Sequence, residues 1–329
     1  MEQRTPALGL GRTGRIAATV IGLAAVLAAL AAAPAYLSVP NLLELQLILG
    51  LCVFAVATNL LLGYGGLVSF GQAAFYGVGS YTIALTWLHW RVPFWIAFIG
   101  APIMGAFAAL LVGLIALRAR KLYFALLTLA FSQLFYVVTE QQYDFTGGAN
   151  GIFGAMVPAT LMQPDVGYWF VLAVATVALA ALWKITASPF GLVLRATREK
   201  PNRAEALGVN VFGHQLLAFV IAGFFCGLAG ALYVVHNQNA YPELLNWATS
   251  IDPVMMDVIG GMYTFLGPVL GAFVYEIAKQ YLVVATHDWQ LILGLVLLAI
   301  VLLLPDGIAG RLGSGHWPPR WLRSRKPAA

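Results

Sequence analysis

The sequence predicts an all-α, polytopic membrane protein, and three observations carry that reading. First, 61% of its 329 residues are hydrophobic and only 9% are charged, against about 45–50% and about 25% in a soluble domain. Second, the apolar residues come in blocks near the roughly 20 residues a helix needs to cross the hydrocarbon. They lack the alternation, over about ten residues, of an outer-membrane strand. Third, 16 of the 18 Lys and Arg fall on one side of the bilayer once the N-terminal segment is placed in the cytoplasm, as the positive-inside rule requires. A secreted disulfide scaffold, a nucleic-acid-binding domain and a disordered chain are excluded.

In chain order, a basic cytoplasmic segment (1–15, with Arg4, Arg12 and Arg15) precedes a transmembrane body over 16–304 and a basic cytoplasmic tail over 305–329. The first span, 16–37, ends in small residues like a cleavable signal, but its apolar run is longer than such a signal needs. Spans follow at 41–62, 67–88 and 93–117, then Arg118, Arg120 and Lys121 turn the chain back into 121–138. The 139–166 loop has Glu140, Asp144 and Asp165 but no Lys or Arg, so it faces outward. Span 167–186 leads to a basic inner loop, 187–213, and spans 214–236, 266–285 and 289–304 follow. With both termini inside, the number of crossings is even. The 250–265 stretch therefore crosses, or combines with its neighbour as broken helices. The count is about ten, or eight if two segments re-enter.

Small residues at helical spacing (Gly105, Ala109 and Gly113; Gly223 and Gly227; Gly267 and Gly271) point to close packing within the bundle. Two stretches break the apolar pattern with Gly and polar side chains, 63–75 and 259–268. Both read as a Gly-Gly turn, a hydroxyl residue, a Phe and another Gly. Irregular backbone at membrane depth is tolerated only inside protein or along a cavity, so these are the expected walls of a pathway. Ser69, Gln72, Thr128 and Gln133 either face that pathway or cross-link helices.

Charges are sparse. Glu276 and Lys279 are spaced to pair on one helix face, Glu44 sits near the outer interface, and Asp252 before Pro253 reads as a cap or turn. Asp257 either contacts the pathway, marks a critical helix end or is structural. Cys52 and Cys226 read as small packing residues. The five His have no ligand spacing, so neither a metal nor a cofactor is expected. The chain lacks G-x-x-x-x-G-K-[ST] and any catalytic grouping. It is not expected to be an enzyme, and an ATP motor, if one drives it, is another chain.

The inner loop is sharply punctuated. Ser188-Pro189 is a helix start, with Ser as cap and Pro at the first position, and Arg195 and Arg198 lie toward that helix's C-terminal end. Pro201 then opens and Gly208 closes a piece of about two turns. With Ala206 and Leu207 on one side and polar residues on the other, this piece is shaped to dock into another protein, or to rest at anionic headgroups.

These residues resemble a known family. Glu205-Ala206-Leu207-Gly208 is similar to the Glu-Ala-Ala…Gly loop of ABC importer permeases. The stretches 67–75 and 146–152, Phe190-Gly191 through Arg195-Ala196, and Gly260-Gly261 to Gly267-Pro268 resemble, in matching order, the LivM-type branched-chain amino-acid permeases. That family more often has His where Gln72 stands and Gly where Tyr263 stands. The resemblance implies a permease subunit of an ATP-driven importer in the bacterial inner membrane. Its implied partners are a second homologous permease, two ATP-binding cassette ATPase subunits, a periplasmic solute-binding protein docking near 139–166, and membrane lipids, with no nucleic acid. Coupling to the ATPase would fall on Arg195, Arg198, Glu199, Glu205, Ala206, Leu207 and Gly208. Branched-chain amino acids, urea or amides are the candidate solutes. An ion-gradient-driven transporter is the alternative, and a membrane-embedded enzyme lacks the acidic or His cluster it would need.

Overall fold

A computed structural model describes residues 28–119, 122–154, 156–285, 288–303 and 307–314. The N-terminal arginines, Arg120, Lys121 and the tail beyond 314 lie outside the described residues. Residues 28–36 are helical. The helices that follow are α1 (Val39–Asn59), prolonged by a π-helical stretch at Leu60–Gly65, α2 (Gln72–Trp90), α3 (Phe94–Ala116) and α4 (Leu122–Gln141). Next come α5 (Pro164–Ala187), α6 (Pro189–Glu199), α7 (Pro201–Ala206) and α8 (Val211–Asn237). The last are α9 (Ile251–Gly260), α10 (Gly267–Ala285), α11 (Trp289–Leu303) and α12 (Gly307–Ser314). Two short strands, β1 (Ile152–Phe153) and β2 (Asn239–Ala240), pair antiparallel with Ile152 opposite Ala240.

Among the described residues, six helices are long and apolar enough to cross a membrane: α1 with its π-helical end, α3, α4, α5, α8 and α10. The 19-residue α2 is long enough but more polar, and packs among them. The ten residues of α9 rise only about 15 Å, half the roughly 30 Å of hydrocarbon, so α9 does not cross alone. It packs antiparallel on α10 as a hairpin whose tip is 261–266. The core is built on α1 and α8, most of whose residues are buried, while few residues of α4 and α10 are.

Local chemistry sets the boundaries. Pro opens α5, α6 and α7, where a missing N–H costs nothing. Asn210 caps α8 through Gly213 N–H at 2.9 Å. Ser188 does stand at the start of α6, but its hydroxyl donates backward to the Ile185 carbonyl at 2.6 Å and caps no N–H of α6. The expected side-chain cap is therefore absent; the hydroxyl instead joins the Ser188 N–H on the Ile185 carbonyl at the end of α5.

The loops sort to two ends. At one, His89 Nε2 lies 2.8 Å from the Phe145 carbonyl, and the β1–β2 pair joins the 142–154 loop to the segment after α8. At the other, α6 packs under the end of α1, with Leu194 against Gly65.

Glycine governs how closely the central helices approach. A Cβ on Gly105 would lie 2.6 Å from the Gly223 carbonyl, and one on Gly227 would lie 2.8 Å from the Ala101 carbonyl. A Cβ on Gly230 would overlap the Tyr76 carbonyl. The small-residue pattern is thus intramolecular packing of α2, α3 and α8. Gly230→Ala should lower stability by about 1–3 kcal/mol through overpacking. Gly100→Ala, whose nearest neighbour would be the Thr82 methyl at 3.9 Å, should be neutral or stabilising by up to about 1 kcal/mol. Fluorescence-detected size exclusion after a temperature ramp reads both; equal midpoints would refute this account.

Candidate functional site

The two stretches that interrupt the apolar pattern are helix breaks, and they meet. In the first, Gly66 turns the chain at φ +67° and an irregular run leads to α2. Its polar backbone is claimed from outside. Arg198 donates to the Gly63 carbonyl, Phe70 N–H reaches Thr128 Oγ1 at 3.2 Å, and Ala73 N–H reaches Ser250 Oγ at 2.9 Å. In the second, Thr264 folds over the turn, donating to the Gly261 carbonyl and accepting from Gly267 N–H, both at 3.1 Å. Asn59 Nδ2 donates to the Thr264 carbonyl at 3.4 Å, joining the breaks. At Gly63 any side chain would collide with the Met262 carbonyl.

Ser69, Gln72 and Thr128 all belong to a fully buried polar cluster beside the first break. Gln72 Nε2 donates to Ser69 Oγ at 3.2 Å, and the Cys226 thiol donates to Gln72 Oε1 at 3.3 Å. Cys226 is therefore more than a packing residue, and Thr58 stands beside it. Gln133 lies apart, half-buried, its Oε1 unpartnered among the described residues. Its neighbour Ser132 instead donates to the Leu245 carbonyl at 2.7 Å. Asp257 is wholly buried on α9, and neither carboxylate oxygen has a hydrogen-bond partner among the described residues.

The other charges of the α9–α10 hairpin are paired. Glu276 and Lys279 approach at 3.9 Å, as their spacing predicts. Asp252, at the start of α9, joins them, 3.5 Å from Lys279 and 2.7 Å from the Tyr275 hydroxyl. The sequence offered no signal for that long-range partnership.

At the opposite end of the breaks, α6 carries both arginines. Arg195 stacks over Tyr64 at 4.6 Å and Arg198 over Tyr263 at 5.1 Å. With Gly63 and Met262 these four residues line a pocket of about 130 Å³. Arg198 thus touches both breaks at once. Glu199 is exposed, 3.9 Å from Arg198. α7 is anchored by buried Ala204 and closed as a Schellman turn, with Gly208 at φ +85° and Val209 N–H on the Ala204 carbonyl at 3.0 Å. Glu205, Ala206 and Gly208 are exposed, and Leu207 is 85% exposed.

Residues 41–302 match the family described as branched-chain amino acid transport system, permease component. The chain is 26% identical over 283 residues to the high-affinity branched-chain amino acid transport system permease protein LivM of Escherichia coli, covering 78% of this chain and 67% of that one. It is 27% identical over 130 residues to a probable branched-chain amino acid transport permease protein LivH of Methanocaldococcus jannaschii (37% of this chain, 41% of the other). It is 36% identical over 69 residues to the guanosine ABC transporter permease protein NupQ of Bacillus subtilis, 21% of each chain. No solved structure matches.

Arg198→Ala should loosen the first break. A charged hydrogen bond is worth about 1.5–3 kcal/mol, so amide exchange over 63–67 should speed up roughly tenfold to a hundredfold in hydrogen–deuterium exchange on bilayer-embedded protein. Arg198→Lys, lacking the planar fork, should restore only part. Unchanged exchange in Arg198→Ala would remove Arg198 as the clasp.

Proposed function

The chain belongs to the family of permease components of branched-chain amino acid transport systems, and on that premise we infer that it is the transmembrane subunit of an ATP-driven importer. In this reading it sits in the bacterial inner membrane with both termini inside. The chain would cross about ten times, α9 with the hairpin tip standing in for one crossing. The strongest support is α7. A two-turn helix closed by Gly208 presents Leu207 to solution, while the adjoining α6 is clamped by Arg198 to both helix breaks. An exposed leucine on a rigid turn is a docking knob, and α6 makes it mechanically continuous with the membrane.

The partners are two ATPase subunits that grip α6 and α7 around Arg195, Arg198, Glu199 and 205–208. A second, homologous permease completes the pathway, as the likeness to both LivM and LivH proteins supports. A periplasmic binding protein delivers the solute at the 139–166 loop. Ser69, Gln72, Thr128 and Asp257 are assigned to the pathway side of the breaks, and Gln133, which lies apart from them, is not. The solute is a branched-chain or related amino acid; the guanosine permease among the relatives makes a nucleoside the competing cargo.

The buried Asp257 is the observation that favours the second reading, a transporter driven by an ion gradient. Uptake in vesicles separates the two: ATP depletion or vanadate should abolish it and a protonophore should not. Survival without ATP would overturn the ATP-driven reading. Within that reading, Glu205→Arg and Leu207→Asp should leave the protein inserted but cut co-purification of the ATPase by at least roughly tenfold, the worth of one well-buried anchor. Undiminished co-purification and uptake would exclude α7 as the docking element.

A further inference from the structure

Several buried polar atoms lack a hydrogen-bond partner among the described residues, Gln133 Oε1, His236 Nδ1 and Glu276 Oε2 among them, but Asp257 is the carboxylate with both oxygens unpartnered. Within the α9–α10 hairpin, Lys279 serves Asp252 and Glu276, and Tyr275 serves Asp252. Asp257, five residues further along α9, has neither a cation nor a hydrogen bond to its carboxylate among the described residues. The nearby arginines do not supply one, because Arg198 is held by Gly63 and Tyr263, and Arg195 lies over Tyr64. A bare carboxylate removed from water is among the costliest groups a protein can bury, and an apolar residue of similar size would pack at no such cost. An ionisable group kept at membrane depth is a functional-site hypothesis by default.

Its surroundings narrow what it serves. α9 packs against α1, its Met256 and Ile259 sharing a buried cluster with Ile48, Cys52 and Ala55. α9 itself starts at Ser250, whose hydroxyl takes the Ala73 N–H of α2. Asp257 therefore stands between the two interrupted segments, at the end of a short helix that finishes in Gly261 at φ +110°. When the group is ionised, both its oxygens are acceptors only, and no donor reaches them among the described residues. A group of three N–H donors with a positive charge fits them; a carboxylate would be repelled, and a neutral ribose would leave the charge uncompensated.

We propose that Asp257 is the counter-charge for the ammonium group of the transported solute, so that the pathway selects an amino acid over a neutral nucleoside. This rests on the importer reading above and adds a specificity residue to it.

The test uses the whole complex in proteoliposomes, with its binding protein loaded with leucine. Asp257→Asn should lower the leucine moved per ATP hydrolysed at least roughly tenfold, the loss of one charge-assisted contact, and Asp257→Glu should recover part of it. Independently, Asp257→Cys in a Cys52→Ala, Cys226→Ala background should react with a water-soluble methanethiosulfonate during turnover, and leucine should slow that reaction. Wild-type coupling in Asp257→Asn, or a position 257 thiol that stays unreactive during turnover, would overturn the proposal while leaving the importer reading intact. A wild-type complex that carries guanosine and no leucine would overturn the amino-acid reading and this proposal together.

Discussion

Inside a bilayer every backbone N–H and C=O must find a partner within the protein, and the rest of this structure follows from that constraint. A continuous helix meets it without help. The segments 63–71 and 261–266 do not, so each has to be buried and supplied with donors and acceptors from elsewhere. Those suppliers are Arg198 for the Gly63 carbonyl, Thr128 for Phe70, Ser250 for Ala73, and Asn59 for the Thr264 carbonyl. The breaks thereby dictate where a hydroxyl or amide is tolerated in an otherwise apolar bundle. They also force the neighbouring helices close enough to reach them, which accounts for the bare glycine faces of α2, α3 and α8 and for Gly260, Gly267 and Gly271 in the hairpin.

Charge is spent under the same restriction. The described cations at the hairpin and the breaks are each placed against an acid, a carbonyl or an aromatic face: Lys279 on Asp252 and Glu276, Arg198 on Gly63 and Tyr263, Arg195 on Tyr64. Tyr263 occupies a position where a glycine would leave the Arg198 guanidinium without its stacking face. Set beside such pairings, Asp257, with both oxygens unpartnered among the described residues, is the exception that the proposed ligand role addresses.

Much of this was legible in the residues. Block length and basic-residue placement led to the helical membrane class, Gly-Gly interruptions to the breaks, and the Pro-to-Gly punctuation of 201–208 to α7. What was not legible is long-range. Nothing in the spacing tells that Ser250 would cap Ala73, 177 residues away, or that Asp252 would reach across to Lys279 and Tyr275. Cys226, read as filler, donates to Gln72 because helix crossing, not local pattern, brings the two together. Gln133 looked equivalent to Thr128, yet five residues along a helix turn it to another side, and Ser132 holds the contact instead. Of the two readings of 250–265, a crossing or broken helices combined with a neighbour, the structure favours the second, because Gly260-Gly261 ends the helix after half a bilayer.

The geometry also explains why one loop can act on both breaks. Between α5 and α8 the chain has no slack: α6 begins at Pro189 directly after α5, α7 begins at Pro201, and Asn210 caps α8. A push on exposed Leu207 is therefore borne by a stiff, short unit. Its inner contacts are few and specific, namely Leu194 on Gly65, Arg195 on Tyr64 and Arg198 on Gly63 and Tyr263. Helix breaks yield at lower energy than intact helices because their backbone bonds are made to side chains and can be exchanged singly. Displacing α6 thus strains the π-helical end of α1 and the hairpin tip together, and it does so beside Asn59, the residue that ties the two breaks to each other. In the proposed importer, a single lever with two attachments would move the pathway walls in concert, which is what a conduit powered from one face requires.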